Sequence, residues 1–277
     1  MLHQTFCHIP GIGLKTERRL WEAGILSWEG WRNPPPFPLA NSRVRDIPVF
    51  LEASRQALDS DRPNFFTPYL AAADIWRIFP HFRARTAFID IETTGLDADA
   101  RITTIALYDG STVRTYVNGR NLDDFVADIF AYTVLVSYNG KGFDVPFLER
   151  HFRIRLDHAH IDLRYVLARL GLKGGLKGCE KQLGIDRGSL DGVDGFFAVL
   201  LWREYERTGS DKALETLLAY NIEDTVNLER LLVEAYNRNI AVTPFARKLA
   251  IPAPEPACIP YRPDMECVER LRRAALR

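Results

Sequence analysis

The chain has 277 residues, 47% of them hydrophobic, which allows a substantial core and is long enough for one large domain with a smaller unit beside it. No run of about 18 apolar residues occurs, and the start MLHQTFCHIPGIG has neither a basic head nor an apolar stretch, so the expectation is a soluble, cytoplasmic protein with no membrane span. The formal charge is zero from 36 basic and 36 acidic residues, yet residues 84–238 hold 19 Lys and Arg against 24 Asp and Glu, so a nucleic-acid partner requires cations to offset that acidic middle.

In chain order, HIPGIGLKTERRLWEAGI at residues 8–25 reads as a helix-hairpin-helix-like unit within a segment spanning 1–31. Its Gly11-Ile12-Gly13 turn can offer backbone amides to a phosphate at a helix N-terminus, with Lys15 alongside; a plain helical hairpin is the alternative. The break RNPPPFP at 32–38 opens a proline-rich linker and helical region over 32–83, in which 40–80 is expected to be mostly helical. Segments 86–92, 101–108 and 112–117 are β-branched and separated by turn residues, as consecutive antiparallel strands are. A helix near 121–131, a strand at 133–137, a helix at 144–153, a short strand at 160–162 and a long helix at 211–237 complete the pattern. That order predicts an α/β fold over 84–238, a mixed sheet flanked by helices, with a small helical N-terminal region in front. Residues 239–277 form a proline-rich tail closed by a short basic helix. The four cysteines, Cys7, Cys179, Cys258 and Cys267, have no C-x-x-C spacing and are expected as free thiols.

Acidic residues interrupt the apolar pattern at three places. In the first strand Asp90 and Glu92 share a face with Thr86 and Phe88, while Ala87, Ile89 and Ile91 take the other. A lone D-x-E pair has a plain reading as a solvated strand end. Asp144 follows the turn Asn139-Gly140-Lys141-Gly142 at the start of a helix, where N-capping alone would account for it; Asn139 and Lys141 are candidates for contact with nucleic acid. In the long helix, Leu217, Tyr220, Asp224, Leu228, Leu231 and Ala235 form one face, so Asp224 lies in an apolar seam. A carboxylate there needs a cation, hydrogen bonds or a proton, and a neighbouring arginine or backbone amide would suffice. Together, four carboxylates on three elements repel one another unless divalent cations bridge them. Hard oxygen donors select Mg²⁺ or Mn²⁺, and two such ions about 3.5 to 4 Å apart clamp the attacking and leaving oxygens of a phosphodiester.

FIDIETTGL, SYNGKGFDVPFL and the Y-x-x-x-D run from Tyr220 to Asp224 resemble the three motifs of the DEDD, or proofreading-type, 3′-to-5′ exonucleases, over approximately residues 84–237. Ala219 stands where the histidine subgroup carries its histidine, so the resemblance is to the tyrosine subgroup. The Trp-Arg pair before the first motif and the stretch GFFAVLLWREYERTG are similar to bacterial predicted exonucleases with an RNase H-like domain. The resemblance implies a ribonuclease H-like fold, with Asp90, Glu92 and Asp224 holding a first metal ion and Asp144 with Asp90 supporting a second. It further implies that Tyr220 orients the attacking water and that DNA or RNA is hydrolysed in line from a 3′ end. An endonuclease using the same site, and a binding module whose site is disused, are the alternatives.

Other candidates carry less chemistry. His158 and His160 are expected to be packing or surface residues, and Asp162 a helix cap. Lys173, Lys177 and Lys181 recur every four residues, but Gly174, Gly175 and Gly178 argue for a solvated basic loop.

Overall fold

The computed structural model describes residues 1–39, 46–97, 99–188 and 194–275. Its centre is a five-stranded sheet of order β3-β2-β1-β4-β5, built from β1 (Thr86–Thr93), β2 (Ile102–Tyr108), β3 (Val113–Val117), β4 (Val134–Ser137) and β5 (Ala159–Asp162). The first three strands form an antiparallel meander, whereas β4 runs parallel to β1 and β5 parallel to β4. The β2–β3 turn is tight because Asp109 Oδ1 accepts from the amides of Ser111 and Thr112 at 3.0 and 2.8 Å while Gly110 takes φ +91°. The parallel strands need crossovers, which the helices between them supply. Each strand expected from sequence ends within one residue of its observed bounds.

The helices are α1 (Leu14–Glu22), α2 (Ile47–Asp59), α3 (Phe79–Phe82), α4 (Asp124–Ile129), α5 (Asp144–Phe152), α6 (Leu163–Arg169), α7 (Gly175–Gln182), α8 (Gly195–Thr208), α9 (Asp211–Ala241), α10 (Ala246–Leu249) and α11 (Met265–Ala275). Strand alternation divides β1 between two cores. Ala87, Ile89 and Ile91 pack with Phe125 of α4 and Phe147 and Leu148 of α5. Phe88, on the other face, belongs to a core with Leu228, Leu231 and Ala235 of α9. The seam read from 3.6-residue periodicity in α9 is therefore the surface that covers the sheet. The N-terminal part of α9 joins α8 and α11 in a third cluster around Leu201, Trp202, Leu217 and Val268.

The N-terminal segment is part of the main core: Leu2, Phe6, Ile9, Leu20 and Trp28 are buried in the cluster that contains Phe88 and Leu231. A single 3-10 turn, Leu2–Gln4, stands where a hairpin's first helix is expected, and α1 follows the glycine turn. Buried Glu17 of α1 ties this unit down. Its Oε1 accepts from the amides of Phe6 and Cys7 at 2.7 and 3.0 Å, and Oε2 pairs with Arg77 at 2.9 Å. Residues 46–80 are less helical than expected, since α2, short 3-10 turns and the start of α3 are what form there; residues 40–45 lie outside the described part. In the tail, Asn237 Nδ2 donates to the Ile251 carbonyl at 2.8 Å and accepts the Ile251 amide through Oδ1 at 3.0 Å. The four cysteines are free thiols. No helix among the described residues is long and apolar enough to cross a membrane.

Candidate active site

Where β1 runs out from under the apolar part of α9, the face that begins with Phe88 continues as Asp90 and Glu92. Asp224 of α9 stands over them, and one carboxylate oxygen from each of the three lies within 4.8 Å of the others. Tyr220 is one helical turn before Asp224 and only 3% exposed. Asp144 approaches from the start of α5. These five residues line a single cleft of about 370 Å³ together with Tyr138, Asn139, Phe143, Leu176, Lys177 and Asp194.

Each acid has its own support. Asn221 Nδ2 donates to Asp90 Oδ2 at 2.7 Å and to the Asp90 carbonyl at 3.2 Å, and Asn221 Oδ1 accepts from Thr104 Oγ1 at 3.0 Å. Asp144, for which N-capping is the plain alternative, does not cap α5. It is the first helical residue, behind Phe143, and its Oδ1 accepts from the Ile91 amide at 3.2 Å. The turn that delivers it is held by Asp162, which accepts from the amides of Asn139 and Lys141 at 2.8 and 3.2 Å and also caps α6 through the Arg164 amide at 3.0 Å. Gly140 packs so tightly on Ser137 that a Cβ would lie 2.2 Å from the serine Oγ.

The electrostatics are strained in one direction. Burial, reinforced by the charges of Asp224 and Asp144, pushes the Asp90 carboxyl well above the usual range; burial and then Asp224 do the same for Glu92. Asp144 is pushed up to about 7, chiefly by burial. The Tyr220 hydroxyl is raised by burial and by Asp224, Glu92 and Asp90, so it stays protonated. An all-oxygen donor set at this spacing, too buried to carry its charge alone, suits a hard divalent cation. Asp90, Glu92 and Asp224 would hold it, with Asp144 beside them.

The family model RNase_H_2, described as RNase_H superfamily, matches residues 87–236, more than half of the chain. The chain belongs to the RNase H superfamily. Among solved structures, the family B DNA polymerase from the hyperthermophilic archaeon Pyrobaculum calidifontis is similar at 16% identity and a TM-score of 0.43, over 60% of this chain and 27% of that one. The chain thus spans far less than two thirds of the polymerase. No curated protein matches it.

Around the RNase H-like sheet, one expectation needs correction. The segment with Lys177 is helix α7, not a solvated loop. Gly178 permits the helix, because a Cβ there would lie 2.7 Å from the Lys173 carbonyl oxygen. Lys177 is half-buried in the cleft with its Nζ 4.8 Å from the centre of the Tyr220 ring, while Lys173 and Lys181 are exposed. Asp224 has the arginine partner that sequence allowed as one alternative but did not identify: Arg187 Nη2 donates to its Oδ1. Asn221 was legible only as the neighbour of Tyr220, and Arg187 by no local signal.

The histidines pack: His160 Nε2 lies 2.8 Å from Ser137 Oγ, and His158 Nε2 3.1 Å from the Ile129 carbonyl. Asn139 borders the cleft, with its Oδ1 accepting from Arg164 at 2.6 Å, and Lys141 is exposed on the same turn. Gly11 (φ +89°), Gly13 and Lys15 sit at the exposed N-terminus of α1 and do not line this cleft.

Proposed function

We propose that this RNase H superfamily protein is a two-metal nuclease of the DEDD type, tyrosine subgroup, that hydrolyses phosphodiester bonds of DNA or RNA from a 3′ end. The observation that carries the reading is the convergence of Asp90, Glu92 and Asp224 within 4.8 Å, with Asp144 and Tyr220 lining the same cleft. Two Mg²⁺ or Mn²⁺ ions, when bound, would supply Lewis acidity and charge neutralisation at the scissile phosphate.

The protein's own residues do the rest. Asn221 fixes the Asp90 carboxylate and Asp162 fixes the turn behind Asp144, so the acids are placed before substrate arrives. Tyr220, kept neutral, can donate or accept a hydrogen bond and so orient the attacking water. Lys177 adds a cation facing Asp224 and Glu92 on the cleft wall, where a phosphate would approach. Asn139 and Lys141, with the α1 N-terminus at Gly11, Gly13 and Lys15, are proposed contacts for the nucleic-acid backbone.

Incubation of the protein with 5′-labelled single-stranded and duplex DNA and RNA in Mn²⁺ tests this. A ladder shortening one nucleotide at a time from the 3′ end is expected, with Asp90→Asn inactive. Internal cuts would replace the exonuclease reading with an endonuclease one. Binding without cleavage would leave a binding module.

A further inference from the structure

Arg187 sits in the short segment after α7, only 7% exposed. Its Nη1 donates to both oxygens of Glu180, at 3.1 and 2.8 Å, and its Nη2 to Asp224 Oδ1. Glu180, on α7, is fully buried and also accepts from Asn227 Nδ2 of α9 at 2.8 Å. Neither Glu180 nor Arg187 lines the cleft. The arrangement is directional: a buried carboxylate anchors one end of the guanidinium, and the other end is presented to an acid of the site. Among the described residues the Arg187 Nε is buried without an acceptor, so its charges hold it rather than saturation of its donors.

We propose that Arg187 is a resident counter-cation that neutralises Asp224 in the metal-free protein and thereby lowers the affinity of the cleft for divalent cations. The proposal rests on the reading of the cleft as a metal site. Without Arg187, Asp224 faces Asp90 and Glu92 across 4.8 Å or less and loses the guanidinium bonded to its Oδ1, leaving the Lys177 ammonium on the cleft wall to offset the three acids. With it, the same fixed positive charge opposes an incoming dication. Arg187 and the metal ion are thus alternative ways of satisfying one carboxylate.

Calorimetric titration with Mn²⁺, and thermal melting in EDTA and in Mn²⁺, test this on the full chain and three variants. R187Q is expected to melt lower than wild type in EDTA, to gain more in Tm on adding Mn²⁺, and to bind Mn²⁺ tighter by on the order of tenfold. R187K, which keeps the charge, should bind near the wild-type affinity. E180Q keeps the guanidinium but removes the charge that offsets it, and should bind Mn²⁺ more weakly than wild type. Equal or weaker Mn²⁺ binding by R187Q would make Arg187 a buttress and overturn the proposal. Should R187Q fail to fold, E180Q decides, because unchanged or tighter binding there contradicts the counter-cation role. A wild-type protein with no Mn²⁺ response that Asp90→Asn removes would instead defeat the metal reading of the cleft itself.

Discussion

Asn221 clamps Asp90 from across 131 residues of sequence, donating to its side-chain carboxylate at 2.7 Å and to its main-chain carbonyl at 3.2 Å. Because Thr104 of β2 donates in turn to Asn221 at 3.0 Å, one amide locks β1, β2 and α9 in register at the cleft. Asn221→Ala removes the partner of the Thr104 hydroxyl and one bond from each of two Asp90 oxygens. Chemical denaturation should read a loss of about 1–3 kcal/mol, and Mn²⁺ affinity should fall as Asp90 gains rotamer freedom. An unchanged midpoint would mean that the clamp contributes nothing.

Tyr220 differs in kind from the acids around it. Positioning and acid-base groups typically supply about 10² to 10⁴-fold, so Tyr220→Phe, which keeps the ring beneath Lys177 and Arg187, should slow nucleotide release by that order. Mn²⁺ affinity and Tm should stay close to wild type. Asp90→Asn should lose both binding and turnover. Full turnover in Tyr220→Phe removes the hydroxyl from the mechanism.

At Gly140 the missing side chain is the structural requirement. A Cβ would lie 2.2 Å from Ser137 Oγ and 2.7 Å from Ser137 Cβ, and 3.3 Å from Asp144 Oδ2. Gly140→Ala should cost about 1–3 kcal/mol and displace Asp144, so that turnover falls together with stability. Ser137→Ala cannot rescue it, since the Cβ contact persists. A fully active, fully stable Gly140→Ala would show that this turn yields easily.

Two histidines, buried His8 and partly buried His160, set an acid limit on stability. Burial lowers His8 and His160 from 6.5 to about 3 each, so both stay neutral in the folded chain. Ser54 Oγ donates to the Phe50 carbonyl and therefore accepts from His8 Nε2. Below 6.5 the unfolded chain binds protons that the folded chain refuses. Each histidine thus contributes stability that is present above pH 6.5 and lost as pH falls toward 3, at up to about 1.4 kcal/mol per pH unit. Denaturation midpoints of wild type and His160→Gln across this range should diverge, with the variant flatter. Parallel curves would contradict the assignment.

The parts of the fold set by local periodicity were legible in the sequence. Alternation in β1 put Asp90 and Glu92 on one face, and the seam of α9 put Asp224 and Tyr220 on another, because each pattern depends only on near neighbours. What was not legible depends on distant partners. Asp144 looks like a cap until Ile91, 53 residues away, supplies its amide. Gly178 looks like a helix breaker until the Lys173 carbonyl is packed against it. Glu17 and Arg77 are 60 residues apart, and nothing near either of them announces that the N-terminal unit is welded into the core. A deletion of 1–31 would therefore strip Leu2, Phe6, Ile9, Leu20 and Trp28 from that core, which makes Lys15→Ala the cleaner probe of the hairpin.

Helix α9 also decides when the three acids can meet. Asp90 and Glu92 emerge from the ribosome more than a hundred residues before Asp224, and the core that seats α9 takes in side chains from Met1 to Phe245. A nascent chain that has displayed its first two acids has no lid to bring them a third, and its high-separation contacts form late and slowly. The acidic cluster is thus assembled late in synthesis, once Asp224 and the residues that seat α9 have been made.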